Sequence, residues 1–330
     1  MTMTEQITIV GLGQLGASVG LALGSRGADI HRVGHDKDPE TAKMAQKKDA
    51  IDEVKYNLPA AVREANIVLL SLPVKEIRST LEVIAPDLPE GAVVMDTAPL
   101  QRSVAEWAQK ILPKGRYYVG LVPAINPLYL HRIEIGVEAA EEDLFEGGLV
   151  MLATLPGVPE EAVKVATDLI ETLGSTALFA DMAETDGLMA STHIAPQLVA
   201  AAMLNAVVDQ PGWKEARKLA GRPFAALTSA LVYQDEITSL GEAALLNREN
   251  VARVLDVVIG SLQGLRDDIA NGNQEHVSER LELALEGRRR WLGERLQGDW
   301  ATEMERPNLE QYPSFMERLI GTRRRPKPED

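Results

Sequence analysis

Over the first half of the chain, short apolar runs alternate with polar stretches of helical length, and that alternation predicts strands and helices in turn. The runs are Ile7-Thr8-Ile9-Val10, Ile30 to Asp36, Ile67-Val68-Leu69-Leu70, Ala92-Val93-Val94-Met95, Tyr117-Tyr118-Val119-Gly120 and Leu149-Val150-Met151-Leu152, with Leu178-Phe179 as the last. Polar loops or helical segments separate them, so a parallel sheet with crossover helices is expected. Pro39 to Lys48 reads as a helix. Another opens at Pro159-Glu160-Glu161 and stops at Gly174, with proline and acids in its first turn and glycine at its end. From about Ala183 the pattern changes to long apolar-periodic stretches at 188–208, 215–232, 240–271 and 274–296. The expected organisation is therefore an α/β domain over residues 1–182 and an all-helical domain over 183–330. The charged, proline-rich end from about 322 reads as a disordered tail.

The helical half carries apolar residues on more than one face, as in Val251-Leu255-Val258-Ile259-Leu262-Leu265. One apolar face satisfies a monomer; a second points to a symmetric partner, so a homodimer is expected.

Composition narrows the function classes. A net charge of −15 over 330 residues argues against nucleic acid and anionic membrane as partners, because both would repel the chain. With no cysteine there is no disulfide, thiolate nucleophile or cysteine-ligated zinc. The first residues lack the basic and apolar regions of a signal peptide. No uninterrupted apolar run approaches the roughly 20 residues of a membrane span. These features fit a cytoplasmic protein with a small-molecule substrate. No spacing of His, Asp and Glu suggests a metal site.

The most informative junction is Gly11-Leu12-Gly13-Gln14-Leu15-Gly16, which follows the first predicted strand and opens the first predicted helix. Three glycines at this spacing give a tight turn, a close backbone approach to a pyrophosphate and close packing of helix on sheet. The helix directs its positive end at the phosphates. The second predicted strand ends at Asp36, twenty residues past Gly16, where a carboxylate hydrogen-bonds the ribose 2′-hydroxyl of NAD and repels the 2′-phosphate of NADP. NAD is therefore the expected cofactor, with NADP left open by Lys37 beside the acid. The whole reads as a Rossmann-type dinucleotide-binding domain.

The order of these signals resembles the prephenate/arogenate dehydrogenase family over nearly the whole chain, to about residue 295. Ser71-Leu72-Pro73-Val74 is similar to that family's A-x-P-V, and Asp96 stands where it has D-x-x-S-x-K. The segment from Gly136 to Gly147 is similar to G-x-x-x-A-x-x-x-L-F-x-G. Asp186, Thr192-His193-Ile194 and Asn247 fall on further landmarks of the helical domain. The resemblance implies an NAD(P)-dependent oxidoreductase that takes a hydride from a carboxylate-bearing hydroxy substrate, prephenate-type, in tyrosine biosynthesis. It also implies a dimeric helical domain. It places Leu72, Pro73, Val74 and Thr97 at the cofactor beside Gly11 to Gly16 and Asp36, and His193, Thr192 and Gln197 at the substrate.

At the substrate end the chain departs from that pattern. The family histidine of H-P-M falls on Val122, or on Asn126 if the loop is slid, and neither takes a proton near neutral pH. The family serine and lysine fall on Pro99 and Gln101, its second histidine on Pro196 or Gln197, and its carboxylate-gripping arginine on Ser229. The candidate catalytic residues are then His193, Asn126 and His131, the last on a loop at a strand's carboxyl end. Arg222 is the candidate for an anionic substrate group. A dehydrogenase with a changed substrate and a non-catalytic NAD(P)-binding protein both remain open.

Overall fold

A computed structural model describes residues 5–27, 29–231, 237–298 and Trp300. The chain divides into two compact units, one up to Thr185 and the other from Asp186.

The first unit is built on β1 (Glu5–Val10), β2 (Ile30–His35), β3 (Glu53–Val54), β4 (Ile67–Leu70), β5 (Val93–Asp96), β6 (Tyr117–Ala124), β7 (Leu149–Thr154) and β8 (Thr176–Phe179). Between them run α1 (Gln14–Ser25), α2 (Pro39–Lys47), α3 (Leu58–Val62), α4 (Val74–Ile84), α5 (Arg102–Ile111) and α6 (Glu160–Thr172). The strands form one sheet in the order β3-β2-β1-β4-β5-β6-β7-β8. Every residue of β4 and β5 is buried, as expected of strands with helices on both faces. The order reverses between β1 and β4, so the carboxyl ends of these two strands border the crevice in which open α/β sheets bind ligands.

One strand pair departs from the all-parallel expectation: β6 and β7 are antiparallel. A parallel neighbour needs a crossover that returns the chain to the starting edge, usually through a helix. The connection from 125 to 148 holds only the 3-10 turns Pro127–Tyr129 and Val137–Ala139. The chain therefore re-enters the sheet from the edge it left. The two-residue β3 is too short to give an alternation signal.

Two clusters of buried polar groups in this unit are placed with partners. The Thr8 hydroxyl and the Gln6 amide both donate to the Ala61 carbonyl, at 2.7 and 3.0 Å. At the end of β5, the fully buried Asp96 accepts from the Tyr118 hydroxyl and from the Ala98 N–H at 2.8 Å. Burial pushes its carboxyl up to about 7 against the lowering effect of both bonds.

In the second unit no strand occurs among the described residues. The helix beginning at Met182 runs as α7 (Met182–Met189), a π turn (Ala190–Ile194) and α8 (Ala195–Val207). It is followed by α9 (Trp213–Leu219), α10 (Arg222–Thr228), α11 (Ile237–Leu246), α12 (Arg248–Ala270) and α13 (Gln274–Gln297). Two expected single helices are broken. The 215–232 stretch ends α9 before Ala220-Gly221 and restarts with Pro223 in the first turn of α10, where its missing N–H costs nothing. The 240–271 stretch breaks at Asn247, whose side chain is buried and donates to the Asp186 carbonyl at 2.7 Å. Met182–Val207 is long and apolar enough to cross a membrane by length and composition alone, a test that core helices of water-soluble proteins also pass. Scattered polar residues interrupt its apolar sequence. The disordered-tail expectation lies outside the described residues.

Asp96 makes stability depend on pH with a defined sign. Its folded pKa lies above its unfolded one, so the folded state holds the extra proton between about pH 4 and 7. Stability therefore falls as pH rises through that window. Asp96→Asn lacks this titration, and urea unfolding at pH 4.5 and 7.5 is expected to show a smaller loss in the variant than in the parent. Equal losses would contradict the account.

Candidate functional site

The glycine turn joins β1 to α1 at the reversal of strand order. Gly11 has φ +90° and donates its N–H to the His35 carbonyl at the end of β2 (2.9 Å). A Cβ on Gly11 would lie 2.2 Å from the Ser71 carbonyl oxygen beyond β4. One on Gly16 would lie 2.0 Å from the Gly11 carbonyl oxygen. Both positions are closed to any side chain. Gly13 stands at the N-cap of α1 with no side-chain cap, so the first N–H groups of that helix are left for a ligand. Leu12 is fully buried and offers only its backbone.

Asp36 holds the glycine turn through its own hydrogen bonds. Its Oδ2 accepts from the Leu12 N–H at 2.8 Å, and its Oδ1 from the Asp38 N–H at 2.9 Å. A carboxylate accepts about four bonds, so acceptor capacity remains for a hydroxyl. Leu72 and Pro73 lie half-buried beyond β4, and Pro73 is the N-cap of α4, again without a side-chain cap. Val74 is buried at the start of that helix. Thr97 is half-buried beyond β5 and donates its N–H to the Leu70 carbonyl at 3.1 Å. The uncapped helix, the closed glycine turn and the acid at the end of β2 fit a dinucleotide. Gly11 to Gly16 would hold its pyrophosphate and Asp36 its ribose.

Gln14 of the glycine motif, with Ser18 and Lys48, which carry no sequence signal, ties the β6–β7 connection onto this frame. The Gln14 amide donates to the Ala139 carbonyl at 3.2 Å, and the Ser18 hydroxyl accepts the Glu141 N–H at 3.0 Å. The Lys48 ammonium donates to the carbonyls of Val137, Glu138 and Ala140 at 2.9–3.3 Å. Within the same connection Asn126 is buried and its amide is committed. Its Oδ1 accepts from the Leu128 N–H at 3.0 Å, and its Nδ2 donates to the Asp143 carbonyl at 3.2 Å. Tyr129 donates its hydroxyl to Asp143, and its pKa is pushed up to about 12, mainly by burial and then by that bond. Arg132 lies 4.6 Å from the Tyr129 ring centroid and pairs with Glu141 at 2.7 Å. His131 is exposed beside it. Val122 is buried within β6, opposite Met151, and Gln101 is fully buried at the start of α5.

The remaining candidates lie in the helical unit. Thr192 and His193 fall in the π turn, and such turns often mark functional positions. Pro196 accompanies it, because its missing N–H interrupts the helical ladder. His193 is half-buried, and desolvation holds its imidazole below the usual value, which keeps it neutral at pH 7. Gln197 is buried and donates to the His193 carbonyl at 2.8 Å. Its Oε1 is buried with no hydrogen-bond partner in the described structure, an acceptor open to a ligand. Thr192 is exposed and donates to the Leu188 carbonyl at 2.9 Å. Arg222 is exposed at the first residue of α10, whereas Ser229 is spent on the Ala226 carbonyl at 2.9 Å. Among the described residues no group of three or more His, Asp or Glu could hold a metal ion.

Residues 19–178 match the model of the prephenate dehydrogenase nucleotide-binding domain. The prephenate dehydrogenase of Bacillus subtilis is 28% identical over 206 residues, 62% of this chain but only 54% of that protein. The cyclohexadienyl dehydrogenase of Zymomonas mobilis is 25% identical over 290 residues, 87% of this chain and 96% of that protein. The fold is that of the A. aeolicus prephenate dehydrogenase crystallised with hydroxyphenyl propionate and NAD+, at a TM-score of 0.76 and 23% identity over 87% of this chain and 98% of that one. The chain is thus similar to the prephenate dehydrogenases, NAD(P)-dependent oxidoreductases, and residues 19–178 carry the match to that family's nucleotide-binding domain.

Proposed function

We propose that this chain is an NAD(P)-dependent dehydrogenase that takes a hydride from a carboxylate-bearing hydroxy substrate related to prephenate, acting in the cytoplasm as a homodimer. The observation that carries the reading is the uncapped N-terminus of α1 behind a glycine turn closed to side chains, with Asp36 at the neighbouring strand end. A bound nicotinamide would supply the hydride acceptor. His193, held neutral by its surroundings, would accept the substrate hydroxyl proton, and the unpartnered Gln197 Oε1 would accept a second donor.

A changed substrate is favoured over prephenate itself. The positions that the family resemblance assigns to a histidine, lysine and arginine hold a strand-core valine or a committed asparagine, a buried glutamine and a committed serine. Losing a bidentate carboxylate clamp alone removes a contact worth roughly 1.5–3 kcal/mol. The non-catalytic alternative has the same support at the substrate end, and turnover decides between them.

Support for the dimer comes from the helical unit. Val257, Ile259 and Leu262 on α12, with Leu281, Leu283 and Leu285 on α13, are all exposed, and α13 buries no residue. So much exposed aliphatic surface is unusual on a monomer.

Steady-state NADH formation against a panel of hydroxy acids, prephenate and arogenate included, is expected to give weak turnover with prephenate and stronger turnover with another member. Robust turnover with prephenate would defeat the changed-substrate reading, and none with any substrate would favour a binding protein. With the best substrate, His193→Asn is expected to lower kcat about 10²–10⁴-fold and to abolish the acid limb of the pH profile, which lies below the ordinary imidazole pKa. Asp36→Ala is expected to weaken NAD binding more than NADP binding in direct titrations; the opposite order would remove Asp36 from the ribose. Light scattering at micromolar concentration is expected to give twice the 35.9 kDa chain mass. A single-chain mass that is unchanged on concentration rules the dimer out.

A further inference from the structure

Lys37 follows Asp36 at the end of β2, and its ammonium lies 2.6 Å from Glu76 Oε1. Glu76 sits in the first turn of α4, which leaves the end of β4. Strands β2 and β4 flank β1, so this ion pair spans the strand ends on either side of the glycine turn. A cation next to a ribose-binding acid is the kind of group that accommodates the 2′-phosphate of NADP. Here that cation is matched by a carboxylate from across the turn. Glu76 is the more enclosed partner, with its side chain 25% exposed against 64% for Lys37, so it is the anchor and Lys37 the group that is held.

We propose that Glu76 is a specificity-determining residue for the cofactor: by pairing with Lys37 it withholds from a 2′-phosphate the cation that would receive it. Asp36 alone rejects the phosphate by repulsion and accepts the 2′-hydroxyl. Glu76 removes the compensation that Lys37 would otherwise offer. This inference rests on the dinucleotide reading of the glycine turn. The pair is exposed enough to contribute little to folding, so its members can be changed without loss of the fold.

The test is direct binding of NAD and of NADP to the full chain, by calorimetry at fixed low ionic strength, with Glu76→Gln, Lys37→Met and the double variant beside the parent. Unfolding midpoints monitored in parallel establish that each variant is folded. Glu76→Gln is expected to tighten NADP about tenfold, the scale of one charge-assisted hydrogen bond, while NAD changes less than about twofold. Because Asp36 remains, NAD stays the preferred cofactor. Lys37→Met is expected to leave NADP as weak as in the parent, and the double variant to show no gain, since the gain acts through Lys37. Unchanged NADP affinity in Glu76→Gln overturns the inference, and so does a gain that survives in the double variant, which would be a general field effect. NAD binding by the parent with either of those results leaves the dinucleotide reading standing. Binding of neither nucleotide removes both.

Discussion

The backbone of Gly11 touches two other strand ends at once, and the arrangement of the α/β unit depends on that contact. Its N–H reaches the end of β2, and its Cα packs so close to Ser71 beyond β4 that no side chain fits. Positive φ and the absent Cβ are both needed, which only glycine supplies without strain. Once β1, β2 and β4 are drawn together there, α1 must start where its unsatisfied N–H groups face the reversal of strand order. Asp36 then locks the turn from the other side through the Leu12 N–H. The same carboxylate that is suited to a ribose also holds the glycine turn, so changing it acts on both.

A second set of contacts fastens the β6–β7 connection to the same helix. Gln14 and Ser18 project from α1, Lys48 follows α2, and all three bond backbone atoms between Val137 and Glu141. Glu141 continues the chain of contacts through Arg132, which stacks on Tyr129, which in turn bonds Asp143. A long loop without a helix of its own is thereby ordered by side chains rather than by secondary structure. That explains how Asn126 can be buried in a loop with every amide group used.

The two ends of the proposed reaction have been treated differently in this chain. Around the glycine turn, Gly11 and Gly16 are closed to any side chain and Asp36 bonds the turn. At the substrate end, positions that carry ionisable groups in the family pattern are filled by residues engaged in packing or capping. His193 and Gln197 are the exceptions: one is neutral by desolvation, and the other carries a buried acceptor without a partner.

The strand-helix alternation, the glycine turn and Asp36 were legible in the residues themselves, because a buried strand must be apolar and a tight turn against a carbonyl must be glycine. The helical character of the second half was legible for the same reason, through its apolar period. Its breaks were less so: Asn247 ends a helix through a bond to Asp186, 61 residues away in sequence, which no local pattern records. The antiparallel β7 was hidden because strand direction follows from the path of a loop, not from the strand's own composition. The pairing of Lys37 with Glu76, and the ties from Ser18 and Lys48 to the 137–141 segment, join residues tens of positions apart whose local contexts are ordinary. Only the tertiary structure decides these, because a charge or a hydroxyl acquires its role from what the fold brings to within 3 Å of it.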